Sequence, residues 1–550
     1  MIKNYCCSLL RSCSRPSSTC FFVFMFILNL ISNFVYVHYD DSLFAIVCII
    51  GLSALTAYVE SVVYILCKVK IIQKTYSCIL AMFHGLLILV EYFLLINFQR
   101  VLNQDVIDIL GETNPVETAN FMETYLSFPM IVIYLMCLIA FEIILHGCVV
   151  RFCKPRTGYL GFTVSVVGLC VASLCLYGFI KYRNGMSIPQ YTTITRGGYA
   201  LYLMHGTLQQ IDQLVNACEN LQAKQTNKQK PTIVVVIGES YSVYHSSLYG
   251  YGKETCPLLK KRLENGEMIV FDNVVSLYDG THGAMHSIFS LDSMGVNFST
   301  TALFPACFKS AGYKSYMFNN QYFVGSGISF LSDAKLSSMM FDDRNKARYQ
   351  FDGQMIDAIR PAKQSLYVVH LWGQHYTYRD RYPAEYRKFK PSDYDTRYTL
   401  SQREIMAHYD NATLYNDYVI NKLLDKFEND NCCLFYFSDH GEEVYEQRDY
   451  MGHGNAAHAP NLNYQIRVPL MIWMSPSFLH DNTELVASFK SAQHYPICTD
   501  DISHTLLEVA GIECKGKVSE RSFIHPKYNT NKHRIVLNSV DYDGGWINRK

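Results

Sequence analysis

Apolar positions are spread unevenly along the chain. Long, nearly unbroken apolar stretches fill the first 180 residues, whereas from Pro231 onward short apolar runs alternate with segments of helical spacing. A bilayer core of about 30 Å takes roughly 20 apolar residues to cross as a helix. The pattern predicts five spans, near Phe21–Val37, Leu43–Leu66, Ser77–Phe98, Phe128–Val150 and Gly158–Ile180. Basic Lys3, Arg11 and Arg15 precede the first, as in a signal peptide, but no small-residue cleavage site follows and four more spans come after it. An uncleaved anchor is therefore expected.

Beyond the spans, TRGGYALYLMHGTLQQIDQLVNACENLQAK has apolar residues at helical spacing and leads into the polar run KQTNKQK. We read residues 181–230 as an amphipathic bridging helix, lying on the membrane or packed on the C-terminal domain, and a linker. From 231 to 550 the runs TIVVVIG, SLYVVHLW, CCLFYF and VPLMIWM are short, continuous and rich in β-branched and aromatic residues. Such runs suit strands buried on both faces, hence a largely parallel sheet between helical layers. IMAHYDNATLYNDYVINKLLDKFEND and DDISHTLLEVAG supply helices. The expected fold is a five-helix transmembrane bundle (1–180) followed by a three-layer α/β domain.

Charge adds the orientation. Basic residues gather before the first span, between the second and third (Lys68, Lys70, Lys74) and between the fourth and fifth (Arg151, Lys154, Arg156). The alternate loops hold almost none: HYDDS has no Lys or Arg, and Gln99–Ser127 has only Arg100. The positive-inside rule then places the N-terminus in the cytoplasm and the α/β domain outside it. Lys+Arg and Asp+Glu both number 48 over 550 residues, so no basic excess points to nucleic acid. Of 19 cysteines, twelve precede residue 180 and seven follow; an odd number without CxxC spacing defines neither a disulfide framework nor a cysteine zinc site. Glu60, Glu91 and Glu142 lie within spans, where structural or interfacial roles are expected.

In open α/β sheets, ligands collect at the carboxyl ends of strands. Three such ends carry metal-ligand chemistry: Glu239 after TIVVVIG, His375 after SLYVVHLWGQ, and Asp439-His440 after CCLFYFS. Singly, each is more often a capping carboxylate or a surface histidine. Together they form a plausible zinc or manganese set with an open position. Thr281, in SLYDGTHGAMHSIFSL, falls at the start of a helical run. Its hydroxyl is either an N-cap or a nucleophile beside the metal, where the helix N-terminus favours an anion.

Longer motifs weigh these alternatives. GES…HSSLYGY…ETCPLL, Thr281 eight residues before Phe289-Ser290, GQHYTYRDRYPAEYRKFKP and SDHGEEVYEQRDYMGHGNAAHAP resemble the bacterial envelope phosphoethanolamine transferases of the alkaline phosphatase–sulfatase superfamily. The resemblance covers nearly the whole chain and implies five spans in the inner membrane with a catalytic domain in the periplasm. It also implies a zinc set of Glu239, Thr281, Asp439 and His440, with Thr281 the nucleophile. By the same resemblance, His375 and His453 hold phosphate or a second metal, Asn320 in MFNNQ lies near the headgroup, and Asn114 and Glu117 in ETNPVETANF lie near the donor lipid. The implied donor is phosphatidylethanolamine, and the acceptor lipid A or another envelope glycan.

Some positions depart from the family pattern. Leu277 and Ser287 stand where better-known members have a cysteine pair, and Asp279-Gly280 replace small hydroxyl residues. The sulfatase signature Cys-x-Pro-x-Arg is absent, which argues against sulfate-ester hydrolysis. Phosphoglycerol transferases of the superfamily share the five spans and a metal-bound threonine, but HSSLYGY and the RYP segment favour the phosphoethanolamine branch. A non-catalytic sulfatase-like protein is disfavoured by retention of every expected ligand.

Overall fold

The structure, a computed structural model, describes residues 16–38, 43–67, 69–98, 101–103, 106–107, 110, 118, 121–122, 128–153, 191–227, 230–295, 298–321, 329–454, 456 and 459–546. It divides into two compact units, the first comprising residues 1–110 and 115–206 and the second 111–114 and 207–550.

Among the described residues of the first unit, four helices are long and apolar enough to cross a membrane: α1 (Pro16–Phe34), α2 (Leu43–Leu66), α3 (Lys70–Phe98) and α4 (Phe128–Cys153). The fifth expected span falls outside the described residues. Phe21, Phe24, Met25 and Leu28 of α1 pack with Ala57 of α2 and Val149 of α4. Two of the acids on these helices are tied down by partners. Glu60 Oε1 lies 2.7 Å from His84 Nε2, and Asn29 donates to Glu60 Oε2 at 3.3 Å. Glu91 pairs with Arg196 and accepts from the Leu102 amide at 3.1 Å. Arg196 belongs to α5 (Thr193–Glu219), which begins in the first unit and ends in the second.

In the second unit, Ile211, Leu214 and Val215 of α5 join the hydrophobic core. The polar run after the helix, expected as a linker, is pinned there as well. Its segment β1 (Ala223–Gln225) pairs antiparallel with a strand near the end of the chain, and Gln225 Nε2 donates to Ala510 O at 2.7 Å. Lysine-rich composition gave no sign of this pairing, because the partner lies almost 300 residues away in sequence.

The central sheet is built from β2 (Thr232–Gly238), β3 (Met268–Phe271), β4 (Lys314–Asn319), β5 (Asp343–Arg344), β6 (Ser365–His370), β7 (Cys432–Ser438) and β8 (Leu470–Met474), in the order β3-β8-β7-β2-β6-β4-β5. Side chains alternate across β2: Ile233, Val235 and Ile237 enter one core, Val234 and Val236 the other. The first core also takes side chains of α6 (Thr281–Phe289), α7 (Phe304–Ser310) and, further along, the helix Ile502–Ala510; the second takes those of α8 (Leu400–Phe427). This is the three-layer arrangement that a run apolar on both faces requires. α8 starts at a capping box in which Thr399 Oγ1 accepts from the Gln402 amide and the Gln402 side chain accepts from the Thr399 amide.

The sheet is largely parallel, as expected, but mixed at one end. From β7 through β2, β6 and β4 to β5 all pairs are parallel, but β8 runs antiparallel to both β7 and β3. The run VPLMIWM marks a doubly buried strand, and such a run reads the same in either direction.

Candidate metal and phosphoryl-transfer site

Gly238 of β2 pairs with Ser438 of β7, so the next residues, Glu239 and Asp439-His440, leave neighbouring strands at the same edge. All three side chains are fully buried, and their donor atoms lie within 4.8 Å of one another. His440 Nε2 is 3.3 Å from Glu239 Oε1 and 3.4 Å from Asp439 Oδ2. The backbone then brings in Thr281. Its Oγ1 lies 3.2 Å from Glu239 Oε2 and 3.2 Å from His440 Nε2. Gly280 occupies the N-cap position of α6 and makes no side-chain cap bond, so Thr281 is the first helical residue. Its hydroxyl therefore does not cap the helix, and faces the acidic cluster instead.

The electrostatics of the cluster suit a cation. Asp439 Oδ1 accepts from the His440 amide at 2.8 Å and the Ser240 amide at 3.2 Å, while buried Oδ2 accepts no hydrogen bond. An orphaned buried carboxylate oxygen costs free energy unless a cation meets it. Burial, reinforced by Glu239, pushes Asp439 up to about 7. Burial opposes charge on His440 too, yet Asp439 and Glu239 raise it to about 10. Glu239, against its own desolvation, is held well below the carboxylate range by His440. Without a metal the cluster thus keeps an imidazolium as its counter-charge. The His440 Nδ1–H donates to Gly441 O at 2.8 Å, which leaves Nε2 as the ligating nitrogen once that charge is displaced. Two carboxylates and an imidazole nitrogen form an oxygen–nitrogen set that suits zinc, or manganese.

The remaining candidates divide. His453 packs against His440 with ring centroids 4.0 Å apart and the rings tilted by 43°, and its Nδ1 lies 2.7 Å from Glu442 Oε2; Tyr378 OH also donates to Glu442. His440, Glu442 and His453 form a second group of potential metal donors. His375 is partly exposed; desolvation holds its imidazole neutral, with the pKa down at about 3, and its Nδ1 has no hydrogen-bond partner. Asn320 is buried and committed inside the chain: Nδ2 donates to Asp352 Oδ1 at 2.8 Å and Oδ1 accepts from the Tyr349 amide. Asn114 and Glu117 lie outside the described residues.

Sequence reasoning missed several residues that shape the site. Gln321 donates through Nε2 to Glu239 Oε2 at 3.0 Å and to Leu371 O at 2.8 Å. It follows β4, whose sequence KSYMFN alternates and so gave no continuous apolar run to mark a strand end. Ser240, in left-handed conformation at φ 55°, donates to Glu239 Oε1 at 2.7 Å. Asp352 accepts from the Trp372 and Gly373 amides and so fixes the turn that leads to His375. In HSSLYGY, the motif's histidine is structural: His245 lies 2.5 Å from Asp410 and 3.2 Å from Glu446, two carboxylates that raise its pKa to about 10 against burial.

Against known families, residues 231–512 match the Sulfatase family. The chain belongs to that family. Within it, the chain is grouped by its relatives with the phosphoethanolamine transferases. It is 26% identical over 456 residues to the phosphoethanolamine transferase EptC of Escherichia coli K12, covering 78% of each chain. The crystal structure of the C-terminal periplasmic domain of E. coli EptC in complex with Zn superposes with a TM-score of 0.52 at 27% identity, covering 59% of this chain and 96% of that one. The integral membrane lipooligosaccharide phosphoethanolamine transferase A of Neisseria meningitidis aligns over 94% of this chain and 98% of its own, with a TM-score of 0.60 and 18% identity, a likeness of fold.

Proposed function

We propose that this sulfatase-family protein is a zinc-dependent phosphoethanolamine transferase of the bacterial inner membrane, with its catalytic domain in the periplasm. It moves phosphoethanolamine from phosphatidylethanolamine to lipid A or another envelope glycan. The observation that carries this reading is the Thr281 hydroxyl, free of any capping role and 3.2 Å from both Glu239 and His440.

Glu239, Asp439, His440 and Thr281 would hold the zinc. When bound, zinc lowers the pKa of a ligating hydroxyl and neutralises charge on phosphoryl oxygens. Thr281 Oγ1 attacks the donor phosphorus; an O–P bond forms to threonine, and the bond to diacylglycerol breaks. Diacylglycerol leaves with a proton in place of that bond. An acceptor oxygen then attacks the phosphothreonine and restores the Thr281 hydroxyl. Throughout, the exposed amides at the start of α6 favour the phosphoryl anion. His375 and the His453–Glu442 pair border the cluster and are placed, in this reading, to hold phosphate oxygens or the headgroup. The apolar helices keep donor and site at one surface and raise their effective concentration.

Envelope glycolipid analysis tests the reading. Cells expressing the full chain should yield glycolipid heavier by a phosphoethanolamine group, with diacylglycerol as co-product. A phosphoglycerol increment instead would reassign the donor headgroup, and no increment with either would refute transfer.

A further inference from the structure

Among the cysteines of the second unit, three are gathered by the fold around one point: Cys218 in the last turn of α5, Cys307 in α7, and Cys514 at the end of β9 (Ile512–Cys514). Cys307 is fully buried in the core, with Cys218 and Cys514 packed against that core at its margin. The Sγ atoms of Cys307 and Cys514 are 3.4 Å apart. β9 is the strand that pairs with β1, Cys514 standing opposite Ala223.

We propose that Cys307 and Cys514 close a disulfide that fastens the β1–β9 ribbon to α7. The inference rests on the exterior placement given under Proposed function, since an oxidising compartment sustains such bonds. The two thiols are matched for exchange. The hydrogen bond with Cys307, and then Lys517, hold the partly exposed Cys514 below the usual thiol range; that same bond, with burial, holds Cys307 well above it. Cys514 is thus the thiol that meets an external disulfide. Its thiolate attacks one sulfur of that disulfide, forms a mixed disulfide and expels the other sulfur as a thiolate. Cys307 then attacks the Cys514 sulfur, the second external sulfur leaves, and the Cys307 proton goes to it. Both cysteines are oxidised, and one external disulfide is reduced to two thiols. The pair is 207 residues apart in sequence, a long loop of the kind whose closure most restricts the unfolded chain.

The test uses the full chain, purified in detergent and fully reduced, then equilibrated with oxidised glutathione, alkylated and digested. The expected result is a linked peptide pair joining Cys307 to Cys514, with Cys218 alkylated. Two alkylated thiols, a lasting glutathione adduct on Cys514, or linkage of Cys218 to either partner would overturn the pairing. As a second readout, the oxidised protein should melt about 5 °C or more above the reduced one, and Cys514→Ser should abolish the difference. An undiminished difference in that variant would also refute it. Alkylation in intact cells before lysis probes the compartment separately. A pair that closes in the tube but is trapped as thiols in cells overturns the exterior placement, not the pairing.

Discussion

The Gln321 side-chain amide donates to the Glu239 carboxylate at 3.0 Å while its other N–H holds the Leu371 carbonyl. One residue thereby fixes the rotamer of a metal-ligand candidate from two strands away. Such outer partners commonly set metal affinity by 10- to 100-fold. Gln321→Met should weaken zinc binding by about that factor with folding retained, as read by competition with a chelating dye. Unchanged affinity would show that Ser240 alone suffices to orient Glu239.

Gly373 packs closely on the backbone of the same candidate ligand. A Cβ there would lie 2.9 Å from both Glu239 N and O, and its φ is +50°. Gly373→Ala should cost about 1–2 kcal/mol from the left-handed conformation alone, with more from the clash. Denaturant unfolding should show an earlier midpoint, and transfer activity should fall further than stability does, because Glu239 must shift.

Zinc affinity should depend on pH with a definite sign. His440 is raised to about 10 and Asp439 to about 7, so the metal-free site carries the His440 proton at neutral pH and both protons below about 7. Zinc must displace them. Affinity should therefore rise with pH, by about tenfold per unit between roughly pH 7 and 10 and more steeply below. Isothermal titration in buffers of differing ionisation enthalpy counts the released protons directly. Binding that is flat from pH 6 to 9 would contradict this ligand set.

Separating the second unit depends on where the chain is cut. Ile211, Leu214 and Val215 belong to its core, and Ala223–Gln225 to its edge ribbon. A fragment of residues 207–550 should be several kcal/mol more stable than one of 226–550, since each large apolar side chain lost from a core costs about 2–5 kcal/mol. Comparing urea midpoints of the two fragments tests this. Equal midpoints would mean that α5 adds nothing to the second unit.

How much was legible depends on where the information resides. TIVVVIG, SLYVVHLW and CCLFYF could be read as strands because burial on both faces leaves an unbroken apolar run. Their carboxyl ends then placed Glu239 and Asp439-His440 on one edge. β4 escaped notice because its pattern alternates, and with it went Gln321, whose partner Glu239 lies 82 residues away. The direction of β8 was not encoded in its own residues. Local sequence alone favoured a capping role for Thr281 over one facing the acidic cluster. Gly280, one residue earlier, decides otherwise by taking the N-cap position.

The most direct measurement is the covalent state of Thr281 during turnover. Full-length protein mixed with phosphatidylethanolamine in detergent, without acceptor, should be quenched, digested and weighed peptide by peptide. A phosphoethanolamine group on the peptide containing Thr281, absent in Thr281→Ala, is the expected result. An adduct on Ser240 or Ser287 instead, or full transfer activity in Thr281→Ala, would contradict the assignment of Thr281 as nucleophile.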